Sequence, residues 1–203
     1  MRPLTCLVLL LFLVQQPSVA QQRPVETRRF AIDVAGVRIG TMTATRQFMP
    51  GNEVVYTQIS DVQVNFLIYK LTIYYNVVSL FRNGQMINAT VDAHTNKGNY
   101  ASSTVWKGDH YDIDANQYKY TRKTTERRKI DYTVTMLYFS EPAGKQRVYA
   151  EYFGDDFTLT STTRSAYRAS LGGREDEYIY EHGRLAKVIK KNALKNFIIR
   201  PLD

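Results

Sequence analysis

Through most of this chain apolar residues recur at every second position. Ile87, Ala89, Val91 and Ala93 share one parity, and Leu71, Ile73, Tyr75 and Val77 share another. A strand turns alternate side chains to opposite faces, so this period predicts half-buried β-strands rather than helices. The same signal, at varying strength, marks strands over 30–35, 38–48, 53–64, 85–95, 99–106 and 110–115. It returns over 146–153, 156–162, 164–171, 177–181, 184–191 and 196–200. In NFLIYKLTIYYNVVSLF the apolar parity changes, which predicts a bulge, bend or strand break between Phe66 and Lys70.

Turn chemistry separates these runs. Met49-Pro50-Gly51-Asn52, Asn96-Lys97-Gly98, Lys107-Gly108-Asp109 and His182-Gly183 are turn sequences. Asn83-Gly84 is the pair that a two-residue type I′ hairpin favours. Short strands so closely spaced predict an all-β fold, an antiparallel meander curling into a barrel, half-barrel or sandwich. One short helix is expected near 131–139, where the alternation fails.

The N-terminus follows a different pattern. Arg2 precedes the apolar run LTCLVLLLFLV, and Ser18-Val19-Ala20 supplies small residues before Gln21. A run of this length is too short to span a bilayer and fits an exported signal sequence. The expected organisation is a signal peptide at 1–20, a flexible lead-in at 21–28 and a single β domain at 29–203. Cys6, the only cysteine, lies inside the signal, and Gln21 follows the cut. The mature chain is therefore expected to be periplasmic or extracellular, free of disulfides and not a lipoprotein.

The formal net charge is +8. For an exported protein this excess points to an anionic lipid, an envelope polysaccharide or plain solubility rather than nucleic acid. Its densest part is Arg122, Lys123, Arg127, Arg128 and Lys129, candidates for anion contact and expected to form an exposed connection between two halves of the sheet. Lys187, Lys190, Lys191 and Lys195 form a second cluster, assigned to a polar strand face.

Two of the three histidines fall in TVDAHTNKGNYASSTVWKGDHYDI. In a meander, His94 and His110 lie beside turns at opposite ends of one strand, roughly 25 Å apart. Ligands of one ion converge within about 2.0–2.6 Å of it. Asp92, His94, Asp112 and Asp114 alternate with apolar neighbours, which assigns them to the solvated face. No metal site is expected, and no cofactor motif occurs. The one carboxylate pair worth testing for hydrolysis of an envelope polymer is Glu141 and Glu151, which flank PAGKQRVYA.

The positions facing inward form a Tyr-rich apolar set: Leu71, Ile73, Tyr75, Val77, Ile87, Val91, Tyr111 and Ile113. They are candidates for lining a hydrophobic or lipid-like ligand site, or for an ordinary packed core. A protein–protein module is the remaining alternative, and it would require an exposed apolar patch beside an unpaired strand edge.

Several phrases carry a resemblance. FAIDVAGVRIGTMTATR holds Gly36 and Gly40 in a G-x-x-x-G hairpin. MLYFSEP is followed by VYAEYFG, and YIYEHGRL lies near the end. In this order they resemble a family of exported Bacteroidota proteins catalogued as a domain of unknown function. The resemblance implies an exported antiparallel β-protein and supplies no catalytic residues. More loosely, the pattern is similar to half-barrels that hold lipid or lipoprotein acyl chains.

Overall fold

The computed structural model describes residues 25–66, 69–191 and 195–202; the signal-like segment lies outside them. Fourteen strands form one antiparallel sheet. β1 (Val25–Val34), β2 (Val37–Met49), β3 (Glu53–Phe66) and β4 (Tyr69–Arg82) begin a meander. It continues through β5 (Gln85–Thr95), β6 (Gly98–Trp106), β7 (Tyr111–Gln117) and β8 (Tyr120–Glu126). A second meander runs through β9 (Arg147–Ala150), β10 (Asp155–Thr163) and β11 (Ala166–Leu171). It ends with β12 (Arg174–Glu181), β13 (Arg184–Lys190) and β14 (Phe197–Pro201). β14 pairs with β1, so the first and last strands lie side by side mid-sheet, and β8 and β9 are the two edges.

Turn geometry follows from the residues at the corners. Asn83-Gly84 and His182-Gly183 both have positive φ at each residue, at 50° and 76° and at 50° and 73°. That is what a type I′ hairpin needs and what Asn and Gly tolerate. Gly40 serves a different purpose. A Cβ there would collide with the Asp61 carbonyl oxygen and the Val62 backbone, so β2 and β3 approach as closely as they do only through its missing side chain.

Three local expectations need correction. Val25 to Arg28, assigned to a lead-in, already belong to β1 and pair with Gln47 to Ala44 of β2. Ile87 was placed on the inward parity with Ala89. A bulge gives Leu80 the partner Asn88 but Phe81 the partner Met86, leaving Ile87 unpaired and only half-buried. Met86, fully buried, takes the inward position instead. The basic segment is not one loop, since Arg122 and Lys123 lie within β8.

Fourteen strands at ~4.8 Å would make a flat sheet about 60 Å wide. This one curls until its edges meet through side chains. Arg122 Nη1 lies 3.0 Å from Asp155 Oδ2, and Arg128 pairs with Asp156. The Arg174 guanidinium stacks over Phe153 at 4.8 Å and over Tyr120 at 5.8 Å. Among the described residues no ladder joins β8 to β9, so the sheet is curled but not closed.

The chain between β8 and β9 fills much of the enclosed space. It contains a single 3-10 turn, η1 (Val134–Tyr138), where a short helix is expected. Ile130, Leu137 and Tyr138 are fully buried. Met86 N–H donates to the Ile130 carbonyl at 2.8 Å, and Tyr149 N–H donates to that of Tyr132 at 3.0 Å. Arg28 Nη1 donates to the Tyr138 carbonyl at 2.9 Å, tying η1 to β1. The core is thus a curled sheet wrapped around an internal segment. The phenyl and phenol rings of Phe30, Tyr56, Phe81, Tyr138 and Phe139 meet edge-on at its centre.

Candidate functional site

The internal segment does not fill the curl completely. A cavity of about 330 Å³ remains between it and strands β1 to β4, β9, β10, β13 and β14. Its wall from the first meander is mostly apolar, with Ile32, Met42, Val62, Ile73, Tyr75 and Val77. Val134 and Tyr138 come from the internal segment, Ala150 from β9 and Phe153 from the turn after it. This volume lies near the lower end of the usual range for small-molecule sites, about 300–1,000 Å³.

Besides tyrosines, a lysine and a glutamate border this space. Lys190 on β13 sits opposite Asp176 on β12, and its Nζ donates to Asp176 Oδ2 at 2.7 Å. Burial works against the ammonium, but Asp176 outweighs it and holds Lys190 above the ordinary lysine value. The Lys190 side chain is nonetheless 38% exposed. It is among the residues that line the cavity.

Glu151 is the second group. It is 3% exposed, and its Oε1 accepts from Thr135 Oγ1 at 2.6 Å, Ser79 Oγ at 3.2 Å and Thr135 N–H at 3.3 Å. It therefore ties β4, η1 and the turn after β9 together. Tyr75 and Tyr138 feel both charges. Burial pushes the Tyr138 phenol up to about 12. Its hydroxyl, and that of fully buried Tyr178, have no hydrogen-bond partner among the described residues.

The ligand-lining candidates divide. Ile73, Tyr75 and Val77 border the cavity. Leu71 packs half-buried against the core, and Val91 is buried on β5 away from the cavity. Tyr111 and Ile113 lie beneath the internal segment, and their work is structural. Tyr111 OH donates to the Met86 carbonyl at 2.7 Å and accepts from Ile130 N–H at 3.3 Å, bracketing strand to segment.

Glu141 and Glu151 are held by different partners. Glu141 accepts from Tyr167 OH at 2.8 Å and is absent from the cavity wall that Glu151 borders. His94 is exposed and stacks on Tyr74, while His110 contacts Asp109 and Asp112. No cluster of metal-ligating side chains occurs among the described residues. Of the basic segment, Lys123, Arg127 and Lys129 are exposed, whereas Arg122 and Arg128 are half-buried in the seam.

Residues 30–202 match the domain of unknown function DUF6134. The chain belongs to this family. No curated protein matches it. Among solved structures it is similar to the crystal structure of a β-barrel-like protein of the domain of unknown function DUF1849 from Brucella abortus. The TM-score is 0.54 at 6% identity, over 88% of this chain and 95% of that one. At that identity the likeness concerns the fold. The DUF6134 match runs from β1 to the residue after β14 and so takes in every strand that borders the cavity.

Sequence reasoning missed Lys190 as an interior residue. The signal was present, since Lys190 shares parity with fully buried Val188 on β13. A charge in the apolar register of a strand marks either an edge or a site. Ser102, Thr104 and Gln117 were missed for a related reason. They are buried polar residues on β6 and β7: Ser102 and Thr104 hold β9 and the turn after it, and Gln117 Nε2 donates to Ser102 Oγ at 2.8 Å. Ser102 Oγ donates to the Tyr152 carbonyl at 2.8 Å, and Thr104 Oγ1 lies 2.7 Å from Tyr149 OH.

Proposed function

We propose that this is an exported binding protein that holds an apolar, lipid-like molecule inside its curled sheet. The observation that supports this best is the cavity of about 330 Å³, walled by apolar side chains yet reached by Lys190 and the unpartnered Tyr138 hydroxyl. A packed core leaves few voids larger than a water molecule, because empty space forfeits contact energy. An apolar guest would restore those contacts. Export rests on the apolar run before Gln21, and the +8 charge would favour an anionic envelope surface.

Organic extraction and mass spectrometry of the purified chain test the reading. A stoichiometric apolar compound, or saturable uptake of added hydrocarbon, is expected. Ala150→Leu, which extends a cavity-wall side chain into the space, should abolish uptake while leaving the fold intact. A wild-type protein that neither carries nor takes up any apolar molecule would sink the proposal. N-terminal sequencing of the exported form should begin at Gln21; a retained Met1 on the exported protein would refute cleavage.

A further inference from the structure

We infer that the cavity selects a neutral acyl ester, whose carbonyl oxygen accepts hydrogen bonds from Lys190 Nζ and Tyr138 OH. This deepens the binding role proposed above and rests on it.

Hydrogen-bonding capacity supplies the first argument. An ammonium carries three N–H donors, and Asp176 takes one of those on Lys190. Tyr138 lines the same cavity, is 0% exposed, and its hydroxyl has no partner among the described residues. A buried hydroxyl left unpaired is costly, and an acceptor brought into the cavity would satisfy it. Both groups are donors that border the same cavity, and an oxygen-bearing head could use either. The rest of the wall, from Ile32 through Met42 to Val77, offers apolar surface to a tail.

Charge decides which acceptor. Lys190 is already matched by Asp176 across the β12–β13 pair. Glu151 also borders the cavity, and its Oε1 is held by the neutral groups of Thr135 and Ser79. The formal charge of Lys190, Asp176 and Glu151 together is therefore −1. A carboxylate head would add a second negative charge to a poorly screened interior. A carbonyl oxygen uses the same donors and adds none. A hydrocarbon without a head fills the apolar wall but leaves Tyr138 unpaired.

Equilibrium dialysis of the full chain against ligands with one chain length separates these cases. The set is methyl octanoate, octanoate, octylamine and octane at neutral pH. Methyl octanoate should bind about tenfold more tightly than octanoate or octane, the difference that a charge-assisted hydrogen bond makes. Tyr138→Phe removes only an unpartnered hydroxyl, so the fold has nothing to lose. It should weaken ester binding roughly three- to tenfold and leave octane unchanged. The double variant Lys190→Met with Asp176→Asn should act the same way without stranding a buried charge. Octanoate or octylamine binding more tightly than the ester would overturn the inference. So would a Tyr138→Phe protein that binds the ester as the wild type does. If octane also fails to bind, the failure belongs to the binding role itself.

Discussion

Arg122 on the edge strand β8 sets its Nη1 3.0 Å from Asp155 Oδ2 on β10, joining the two ends of the sheet where no ladder does. Arg128 pairs with Asp156 just beyond it. Two of the five basic residues first considered for anion contact are thus engaged in the seam. Lys123, Arg127 and Lys129 remain exposed, with Lys123 making a weak surface pair to Asp114. Replacing Arg122 and Arg128 with Ser should lower stability by about 1–3 kcal/mol, read as a shifted urea midpoint at unchanged slope. Replacing the exposed three should leave the midpoint alone and reduce binding to anionic vesicles at low salt, each residue contributing roughly 1 kcal/mol. Vesicle binding that survives the second substitution would move the contact elsewhere.

Asp156 should respond to pH against the usual sense for a carboxylate in an ion pair. Burial pushes its carboxyl above the ordinary value of 3.8, and Arg128 and Arg147 only partly draw it back. A carboxyl raised in the folded state binds its proton more tightly there. Its contribution is fullest below the unfolded value and is lost as pH rises through the folded one. Asp156→Asn should therefore be at least as stable as wild type at neutral pH. Thermal melts should show the wild type gaining on the variant as pH falls towards about 4. A variant markedly less stable at neutral pH would mean that the arginines outweigh burial.

Gly154 closes the turn that enters the curl. Its φ is +60°, and a Cβ there would lie 2.5 Å from Ile113 Cγ2 on β7. Gly154→Ala meets both backbone strain and overpacking, with a loss of about 2–4 kcal/mol expected in denaturant unfolding. Adding Ile113→Ala should recover part of it, since the clash is with that side chain. If the two losses simply add, the contact does not govern the turn.

Tyr111→Phe tests the bracket between strand and internal segment. The change leaves the Met86 carbonyl without its 2.7 Å donor in a buried place, and Gln85 Nε2 loses its acceptor at 3.3 Å. A loss of about 1–3 kcal/mol is expected. Faster amide exchange at Ile130, whose N–H also loses its acceptor, should accompany it. Unaltered exchange at Ile130 would show that the segment is held by other contacts.

Much of the sheet was readable because strand faces and hairpin corners are written locally. The parity change before Lys70 marks where β3 ends at Phe66 and β4 begins at Tyr69. Asn83-Gly84 and His182-Gly183 mark corners by their tolerance of positive φ. Loss of alternation at 131–139 marks η1. The bulge at Ile87 was not readable, because its apolar neighbours fit either register and only the pairing with β4 decides. Nor was the inward fold of the internal segment, which depends on contacts such as Arg28 to the Tyr138 carbonyl between residues far apart in sequence. The cavity is least legible of all. A strand pattern assigns Ile73, Tyr75 and Val77 to a face, but whether that face meets a neighbour or a space depends on how tightly fourteen strands curl.

The pairing of the first strand with the last also sets an order in time. β1 to β8 are joined by short hairpins and can assemble as each strand emerges. One long edge of β1 must wait for β14, and the Asp33–Arg200 contact at 2.6 Å links residues 167 apart. Such distant closures are slow, and until they occur an unpaired strand invites pairing with another molecule. A newly made chain is therefore most vulnerable to aggregation just before β14 arrives. A molecule stalled or cleaved ahead of β14 keeps that exposed edge permanently.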